Sequence, residues 1–210
     1  MNVAGRMTLH WSPRSPYVRK VVIAAHELGL ADRIEHVRTV VGGTVPHPEL
    51  MRENPLGKIP TLVLADGTVI HDSPLVCEFL DTLHSGEKLF PAAWPARLVA
   101  LRWQALGSGM LDISLLRLTE RNKPEAQRSA PHAALWQGKI TCCLDALEGE
   151  AEALVGTPFS IGHIAIGVAL GYLDFRFADE TWQVGRPRLA AWHAGFNQRP
   201  SVAANMPEEG

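Results

Sequence analysis

Serine stands immediately before proline at three positions in the first 75 residues, where it could carry chemistry. Ser12 and Ser15 occur in the segment Ser12-Pro-Arg-Ser-Pro16, and Ser73 precedes Pro74. Serine before proline is commonly a turn or N-cap residue, and proline fits the first helical position. A helix start also offers unpaired N–H groups and partial positive charge. Ser73 therefore predicts a helix start at which a carboxylate could bind.

Triad and metal chemistry have no supporting pattern in the sequence. No His or Asp follows Ser12 or Ser15 at a spacing that suggests a triad, and the nine histidines form no close i,i+4 or His-x-His pair. Cys77, Cys142 and Cys143 form no Cys-x-x-Cys motif, so neither a disulfide framework nor a zinc ribbon is predicted. We expect a reducing compartment and no metal.

Composition limits the class of protein and its partners. The 210 residues are 46% hydrophobic and 20% charged, which predicts one large folded domain or two small ones. Twenty Lys and Arg against 22 Asp and Glu give a net charge of -2, without the basic excess that nucleic-acid binding requires. The first seven residues lack the pattern of a signal peptide. We expect a cytosolic protein that binds neither nucleic acid nor membrane.

Two kinds of pattern divide the chain into domains. The pattern of residues 1–84 predicts an α/β domain of order β-α-β-α-β-β-α. Residues 85–95 show no periodic spacing of apolar residues, which predicts a linker, and residues 96–210 predict an all-helical domain. The α/β elements are predicted at Met7–Trp11, from Pro16 to Gly29, Ile34–Val41, Pro48–Glu53, Thr61–Leu64, Thr68–Ile70 and from Ser73 to about His84. The helices of the second domain are predicted at Ala96–Arg121, Pro131–Leu154, Ser160–Ala178 and Pro187–Phe196.

This order of elements, with three motifs, resembles the cytosolic glutathione S-transferase family, in particular its bacterial and plant serine-type branches. The motifs are Ser12–Lys20, Asn54-Pro-Leu-Gly-Lys-Ile-Pro60 and Asp72-Ser-Pro-Leu-Val76. The resemblance covers nearly the whole chain. It implies a thioredoxin-like domain followed by a helical bundle, in a cytoplasmic homodimer that serves in detoxification.

The resemblance also implies how glutathione, the co-substrate, would bind. Proteins of the family hold a cis proline where Pro60 stands, which would turn the N–H and C=O of Ile59 outward to pair with the cysteinyl unit. Ser73 would bind the γ-glutamyl carboxylate, and Asp72, where the family more often has Glu, would accept from the ammonium. Lys58 would face the glycyl carboxylate.

The thiol of glutathione is expected at the start of the first helix, beside Ser15 or Ser12. We favour Ser15, whose hydroxyl would donate to the thiolate and lower the thiol pKa. An electrophile site is expected between the domains. Its candidate residues are Trp11, Tyr17, Met110, Leu111, Ser114, Leu115, Arg117 and Arg176.

The predicted reaction is attack of the glutathione thiolate on a small hydrophobic electrophile. One alternative is a thiol transferase or peroxidase-like enzyme, which would favour Cys where Ser15 stands. Another is a protein that binds glutathione conjugates without catalysis.

The sequence departs from the family at Ser160-Ile-Gly-His163, where the capping box usually has Asp. We expect His163 either to weaken that helix start or to be a buried neutral hydrogen-bonding group.

Overall fold

The structure, a computed structural model, describes residues 5–42 and 45–209. Contacts divide the chain into two compact units. The first, which we call the α/β unit, comprises Met1–Phe90 and Pro200–Gly210, and the second, the helical unit, comprises Pro91–Arg199.

The α/β unit contains a four-stranded sheet of order β2-β1-β3-β4. Strand β1 pairs in parallel with β2 and antiparallel with β3, and β4 pairs antiparallel with β3. This is the predicted thioredoxin-like arrangement. The strands are β1 (Met7–Trp11), β2 (Ile34–Arg38), β3 (Thr61–Val63) and β4 (Val69–Ile70), and the helices are α1 (Pro16–Glu27), α2 (Pro48–Glu53) and α3 (Ser73–Thr82).

Local sequence explains where these elements begin and turn. Helix α1 presents an apolar face that includes Val18, Val21 and Val22, all buried. The β3–β4 hairpin turns at Gly67, whose φ of 83° is one that glycine adopts readily. Strand β2 ends at Arg38, earlier than predicted.

The helical unit consists of α4 (Ala96–Arg121), α5 (Ala130–Gly149), α6 (Ala151–Gly156), α7 (Ile161–Arg176) and α8 (Pro187–Asn197). Helix α7 is its core, because every residue from 161 to 173 is buried. The single helix predicted over Pro131–Leu154 is wrong, because the chain breaks at Glu150 between α5 and α6. The Glu150 carboxylate accepts from Trp103 Nε1 at 2.6 Å and from Arg102 Nη1 at 2.8 Å.

Helix α7 begins with a capping box in which histidine replaces the usual acid. The Ser160 N–H donates to Nδ1 of His163 at 3.1 Å, and Nε2 of the ring lies 3.1 Å from the Leu154 carbonyl oxygen. Nδ1 thus accepts while Nε2 carries the proton, so the ring is neutral. Burial lowers the pKa of His163, which agrees with that state. The expectation of a buried neutral hydrogen-bonding histidine is confirmed.

The end of the chain departs from the predicted division. The sequence analysis assigned residues 96–210 to the helical domain, whereas helix α9 (Pro200–Ala203) and the residues after it group with the α/β unit. Arg19 Nε on α1 donates to the Asn205 carbonyl at 2.8 Å, and the Ser201 hydroxyl donates to Glu27. No helix in the described parts of the chain is both long and apolar enough to cross a membrane.

Candidate functional site

The loop between β1 and α1 places Ser15 at the start of α1. Ser15 is the N-cap residue, and its hydroxyl oxygen accepts from the Val18 N–H at 3.3 Å. Its own N–H donates to the Ser12 carbonyl at 3.2 Å, so the two candidate serines belong to one turn. Ser12 is buried and Ser15 is half-buried. Because the capping bond uses the Ser15 oxygen as acceptor, the hydroxyl proton can still be donated to an anion.

The peptide bond between Ile59 and Pro60 is cis, as the resemblance implied. It lies immediately before β3, and the Ile59 side chain is buried. The N–H and C=O of Ile59 have no backbone hydrogen-bond partner among the described residues. An unpaired donor and acceptor on one extended residue can bind an extended peptide in the manner of an added strand.

A buried asparagine that the sequence analysis quoted without a role holds the loop before Ile59. Asn54 Nδ2 donates to the Lys58 carbonyl at 3.0 Å and to Thr61 Oγ1 at 2.9 Å, while its Oδ1 accepts from the Leu56 N–H at 3.0 Å. The Thr61 hydroxyl also donates to the Lys58 carbonyl at 2.8 Å. The backbone on both sides of Ile59 is therefore fixed. An Asn before Pro in a short loop was the only sequence signal for this role.

The start of α3 offers unpaired backbone donors. Its N-cap position is Asp72, one residue before the predicted Ser73, and no side chain caps it. Pro74 has no N–H, and the N–H groups of Ser73 and Leu75 have no backbone partner among the described residues. Asp72 is exposed and Ser73 is buried. Two orphan donors at a helix start suit a carboxylate.

Lys58 lies on a groove of the α/β unit. The groove has a volume of about 460 Å³ and adjoins the start of α2. Its lining residues are Val41, Gly42, Val45, Pro46, His47, Met51, Leu56, Gly57 and Lys58. His47 caps α2, because its Nδ1 accepts from the Leu50 N–H at 3.2 Å. Lys58 is exposed, so its ammonium can reach an anion in the groove.

Two aromatic candidates of the α/β unit already contact cations or rings. Trp11 stacks on His36 with ring centroids 5.7 Å apart and lies 5.8 Å from the Arg38 guanidinium. The Tyr17 ring lies 5.3 Å from the ammonium of the buried Lys20. Both aromatic side chains are half-buried.

Two of the three cysteines of this chain have thiols whose pKa is raised by burial. Cys77 is completely buried, and burial raises its pKa to about 12 although Lys20 lowers it. Burial also raises the pKa of Cys143. A thiol with a raised pKa contains little thiolate at neutral pH and is a poor nucleophile.

The candidates on the helical unit differ in exposure. Met110, Leu111 and Ser114 are buried, and the Ser114 hydroxyl donates to the Met110 carbonyl at 2.7 Å. Arg117 is also buried. Leu115 and Arg176 are half-buried, and the Arg176 guanidinium lies 4.1 Å from the Phe175 ring centroid.

Two domain families match the chain. Residues 14–83 match the glutathione S-transferase N-terminal domain, and residues 130–195 match the glutathione S-transferase C-terminal domain. Both matches fall where the sequence analysis placed the corresponding domain.

One relative and two solved structures match this chain over nearly their whole length. The uncharacterized GST-like protein YibF of Escherichia coli K12 is 31% identical over 203 residues, covering 96% of this chain and 98% of YibF. The crystal structure of a glutathione transferase family member from Pseudomonas fluorescens Pf-5, with bound glutathione, is 37% identical with a TM-score of 0.93, covering 97% of this chain and 100% of that one. A second structure from that strain, with bound S-(propanoic acid)-glutathione, is 36% identical with a TM-score of 0.89, over 97% and 100% of the two chains. By sequence over the whole length and by fold, the chain belongs to the glutathione S-transferase family.

Proposed function

We propose that this protein binds glutathione in its α/β unit and transfers it to a small hydrophobic electrophile. The observation that carries the proposal is the unpaired N–H and C=O of Ile59 beside the cis bond to Pro60. These two groups match the donor and acceptor of the cysteinyl residue in an extended tripeptide. The glutathione bound by the similar Pseudomonas fluorescens protein supports the same ligand here.

The charged ends of the tripeptide have complementary groups in the same unit. We assign the γ-glutamyl carboxylate to the orphan N–H groups of Ser73 and Leu75, and the ammonium to the exposed Asp72. The glycyl carboxylate is assigned to Lys58 in its groove. All three assignments follow from charge complementarity at exposed or unpaired groups.

In the proposed mechanism, the Ser15 hydroxyl donates to the glutathione sulfur and stabilises the thiolate, with help from the α1 dipole. Moving a thiol pKa from about 8.5 to about 6.5 raises the thiolate fraction at pH 7 about 25-fold. The lower nucleophilicity of the more acidic thiolate reduces that gain by about 6- to 10-fold. Most of the acceleration must therefore come from orienting the electrophile against sulfur.

We propose that the half-exposed Trp11 and Tyr17 contact the electrophile from the α/β unit. The roles predicted for residues of the helical unit, the homodimer, the cytoplasmic location and the absence of a metal stay predictions.

Calorimetric titration with glutathione and a conjugation assay with 1-chloro-2,4-dinitrobenzene test the proposal. We expect saturable binding and turnover. Absence of heat would reject the assigned tripeptide site. Tight binding without turnover across a panel of electrophiles would instead support a protein that binds glutathione conjugates.

The contact to the glycyl carboxylate has a separate test. Lys58→Met should weaken binding of glutathione but leave binding of γ-glutamylcysteine, which lacks the glycyl unit, unchanged. Lys139→Met, at an exposed lysine of α5, is the matched control and should change neither affinity. An equal loss for both ligands in Lys58→Met would contradict the assignment.

A further inference from the structure

A histidine on β1 connects three segments of the α/β unit. His10 Nδ1 lies 2.8 Å from the Thr39 hydroxyl oxygen, and its Nε2 lies 2.7 Å from Oε2 of Glu53, the last residue of α2. Thr39 is buried, and its N–H donates to the Trp11 carbonyl at 2.8 Å, which fixes it to the end of β1. The His10 ring therefore links β1 and the segment after β2 to the end of α2.

The hydrogen bonds through this ring require a positively charged imidazole. The Thr39 hydroxyl donates to the Val37 carbonyl at 3.0 Å, so its oxygen accepts from Nδ1 of His10. The Glu53 carboxylate can only accept, so Nε2 carries a proton as well. These three bonds need three protons, and a neutral ring supplies one fewer. When the ring becomes neutral, one of the bonds is lost and Glu53 no longer faces a cation.

Helix α2 has little else to hold it against the sheet. Leu50 alone of its six residues is buried. The His10 side chain is 13% exposed and that of Glu53 is 40% exposed, so the ring is largely shielded from water. A charged hydrogen bond is stronger where water screens it less. The position of α2 therefore depends on Leu50 and on the protonated state of His10.

The end of α2 leads directly into the loop that fixes Ile59. Asn54 follows Glu53, and its N–H donates to the Leu50 carbonyl at 2.8 Å. The Asn54 side chain donates to the Lys58 carbonyl at 3.0 Å. A displacement of α2 therefore moves the side chain that holds the backbone immediately before Ile59.

No other ionisable side chain in the described parts of the chain bonds to the His10 ring. The ionisable residues on the elements around it are Glu35, His36 and Arg38 on β2, and Glu49 and Arg52 on α2, whereas β3 has none. Because His10 pairs with Val37, the β2 residue on its face of the sheet is Glu35, whose negative charge favours the same charged ring. His47 caps α2 as an acceptor, so its protonation would loosen the helix at low pH, opposite to the effect of His10.

We propose that protonated His10 positions α2, and through Asn54 the backbone of Ile59, for glutathione binding. The inference rests on the proposed function. Binding requires the ordered loop, and the ordered loop favours the charged ring, so ligand binding and protonation of His10 strengthen each other. Affinity should therefore fall as the pH rises through the range in which imidazole side chains lose their charge.

Calorimetric titration of the full chain with S-methylglutathione at pH 6 and pH 8 tests this coupling, because the ligand has no thiol to ionise. We expect wild-type affinity to fall about fivefold between the two values, the low end of ordinary coupling between sites. Glu53→Gln should lose most of this fall, since its amide N–H donates to Nε2 of a neutral ring and completes the same three bonds. Glu49→Gln makes the same change one turn earlier at an exposed residue and should keep the wild-type fall.

His10→Ala should bind at pH 6 no more tightly than wild type binds at pH 8, and if it fails to fold, Glu53→Gln still decides. No fall in wild type, or an equal fall in Glu53→Gln, would overturn the inference and leave the proposed function in place. A fall that Glu49→Gln removes as fully as Glu53→Gln would also overturn it, because the charge of α2 and not the bond to His10 would then be responsible. Absence of binding at both pH values would reject the proposed function and the inference with it.

Discussion

At the residue scale, buried polar side chains position the backbone groups that would bind glutathione. Asn54 donates to the Lys58 carbonyl and the Thr61 hydroxyl and accepts from the Leu56 N–H, so its bonds hold the chain on both sides of Ile59. The affinity of a ligand that hydrogen-bonds to backbone groups depends on placing those groups to within a fraction of an ångström. The residue that fixes the loop therefore matters to affinity without touching the ligand.

Asn54→Asp should weaken glutathione binding about tenfold, because it replaces an N–H donor with a carboxylate oxygen facing the Lys58 carbonyl. Thr61→Val is the milder comparison, since it removes the Thr61 hydroxyl from the network but keeps the bond from Asn54 to the Lys58 carbonyl. Calorimetry well below the unfolding temperature of each variant measures the effect. Wild-type affinity in Asn54→Asp would show that the network does not position Ile59.

Ser15 caps α1 and, in the proposed mechanism, also donates to the glutathione sulfur, so a single substitution tests both roles. Ser15→Ala should lower the unfolding free energy by about 1 kcal/mol, because α1 loses its N-cap. It should also raise the pKa of bound glutathione. The conjugation rate of the variant should then be a few-fold lower at pH 7 but higher than wild type above about pH 9, where both thiols are ionised and the more basic thiolate is the better nucleophile.

The conjugation rates of wild type and Ser15→Ala, measured as a function of pH, show whether the variant becomes the faster enzyme at high pH. Ser12→Ala is the matched control and should leave the profile in place, since the Ser12 contact to Ser15 uses its backbone carbonyl. A shifted profile in Ser12→Ala, with none in Ser15→Ala, would move the thiolate contact to Ser12.

At the element scale, the start of α7 depends on a neutral histidine. Burial lowers the pKa of His163 below the ordinary value of 6.5, and the charge of Arg199 lowers it further. The unfolded chain then binds a proton more readily than the folded chain. The stability contributed by neutral His163 is present above about pH 6.5 and is lost as the pH falls toward the folded-state pKa.

His163→Asp should flatten this dependence. An aspartate at the same position retains an acceptor for the Ser160 N–H and stays ionised between pH 7.5 and 5.5. Urea unfolding of both proteins at these two values gives the comparison, in which the drop for wild type should exceed that for the variant. An equal drop in the free energy of unfolding for the two proteins would mean that the pKa of His163 is the same in the folded and unfolded chains.

Close packing of α4 on α7 requires a glycine. A Cβ at Gly107 would lie 2.5 Å from the carbonyl carbon and 2.6 Å from the carbonyl oxygen of Ala165, which are backbone atoms that cannot move aside. Gly107→Ala should destabilise the protein by about 1–3 kcal/mol or more. Gly109→Ala, two residues along the same helix with no atom within 4 Å of its Cβ, should gain up to about 1 kcal/mol from helix propensity. Chemical denaturation of the pair checks both signs, and similar effects in the two variants would contradict the packing argument.

Local sequence patterns predicted most helices and strands, but they did not predict features that depend on contacts between residues distant in sequence. The α2 segment and the Asp66-Gly67 turn follow from residues within a few positions, so sequence reading located them. The break at Glu150 does not, because the side chains that hold it, Arg102 and Trp103, lie 48 and 47 residues away. The same limit applies to the site: the motifs indicated Ile59 and Pro60, whereas the bonds of Asn54 that fix them carry no periodic signal.

At the scale of the whole molecule, the residues after Arg199 belong to the α/β unit, although the residues before them belong to the helical unit. Arg199 is the last residue of the helical unit, and the segment after it packs against α1 through Arg19, Glu27 and the buried Val202. Its partners are more than 170 residues distant in sequence. No composition shift marks this return, which explains why the sequence analysis extended the helical domain to residue 210.

Ending the chain at Arg199 should destabilise the α/β unit by about 3 kcal/mol or more, because it exposes the surface that Val202 covers and leaves the Arg19 guanidinium without the Asn205 carbonyl. Hydrogen exchange of the α1 amides should accelerate accordingly. A chain ending at Met206 keeps α9, the Asn205 carbonyl and the Met206 sulfur that Arg19 also contacts, so it should exchange like the full chain. Equal protection of α1 in the two shortened chains would show that the segment after Arg199 contributes nothing to the unit it packs against.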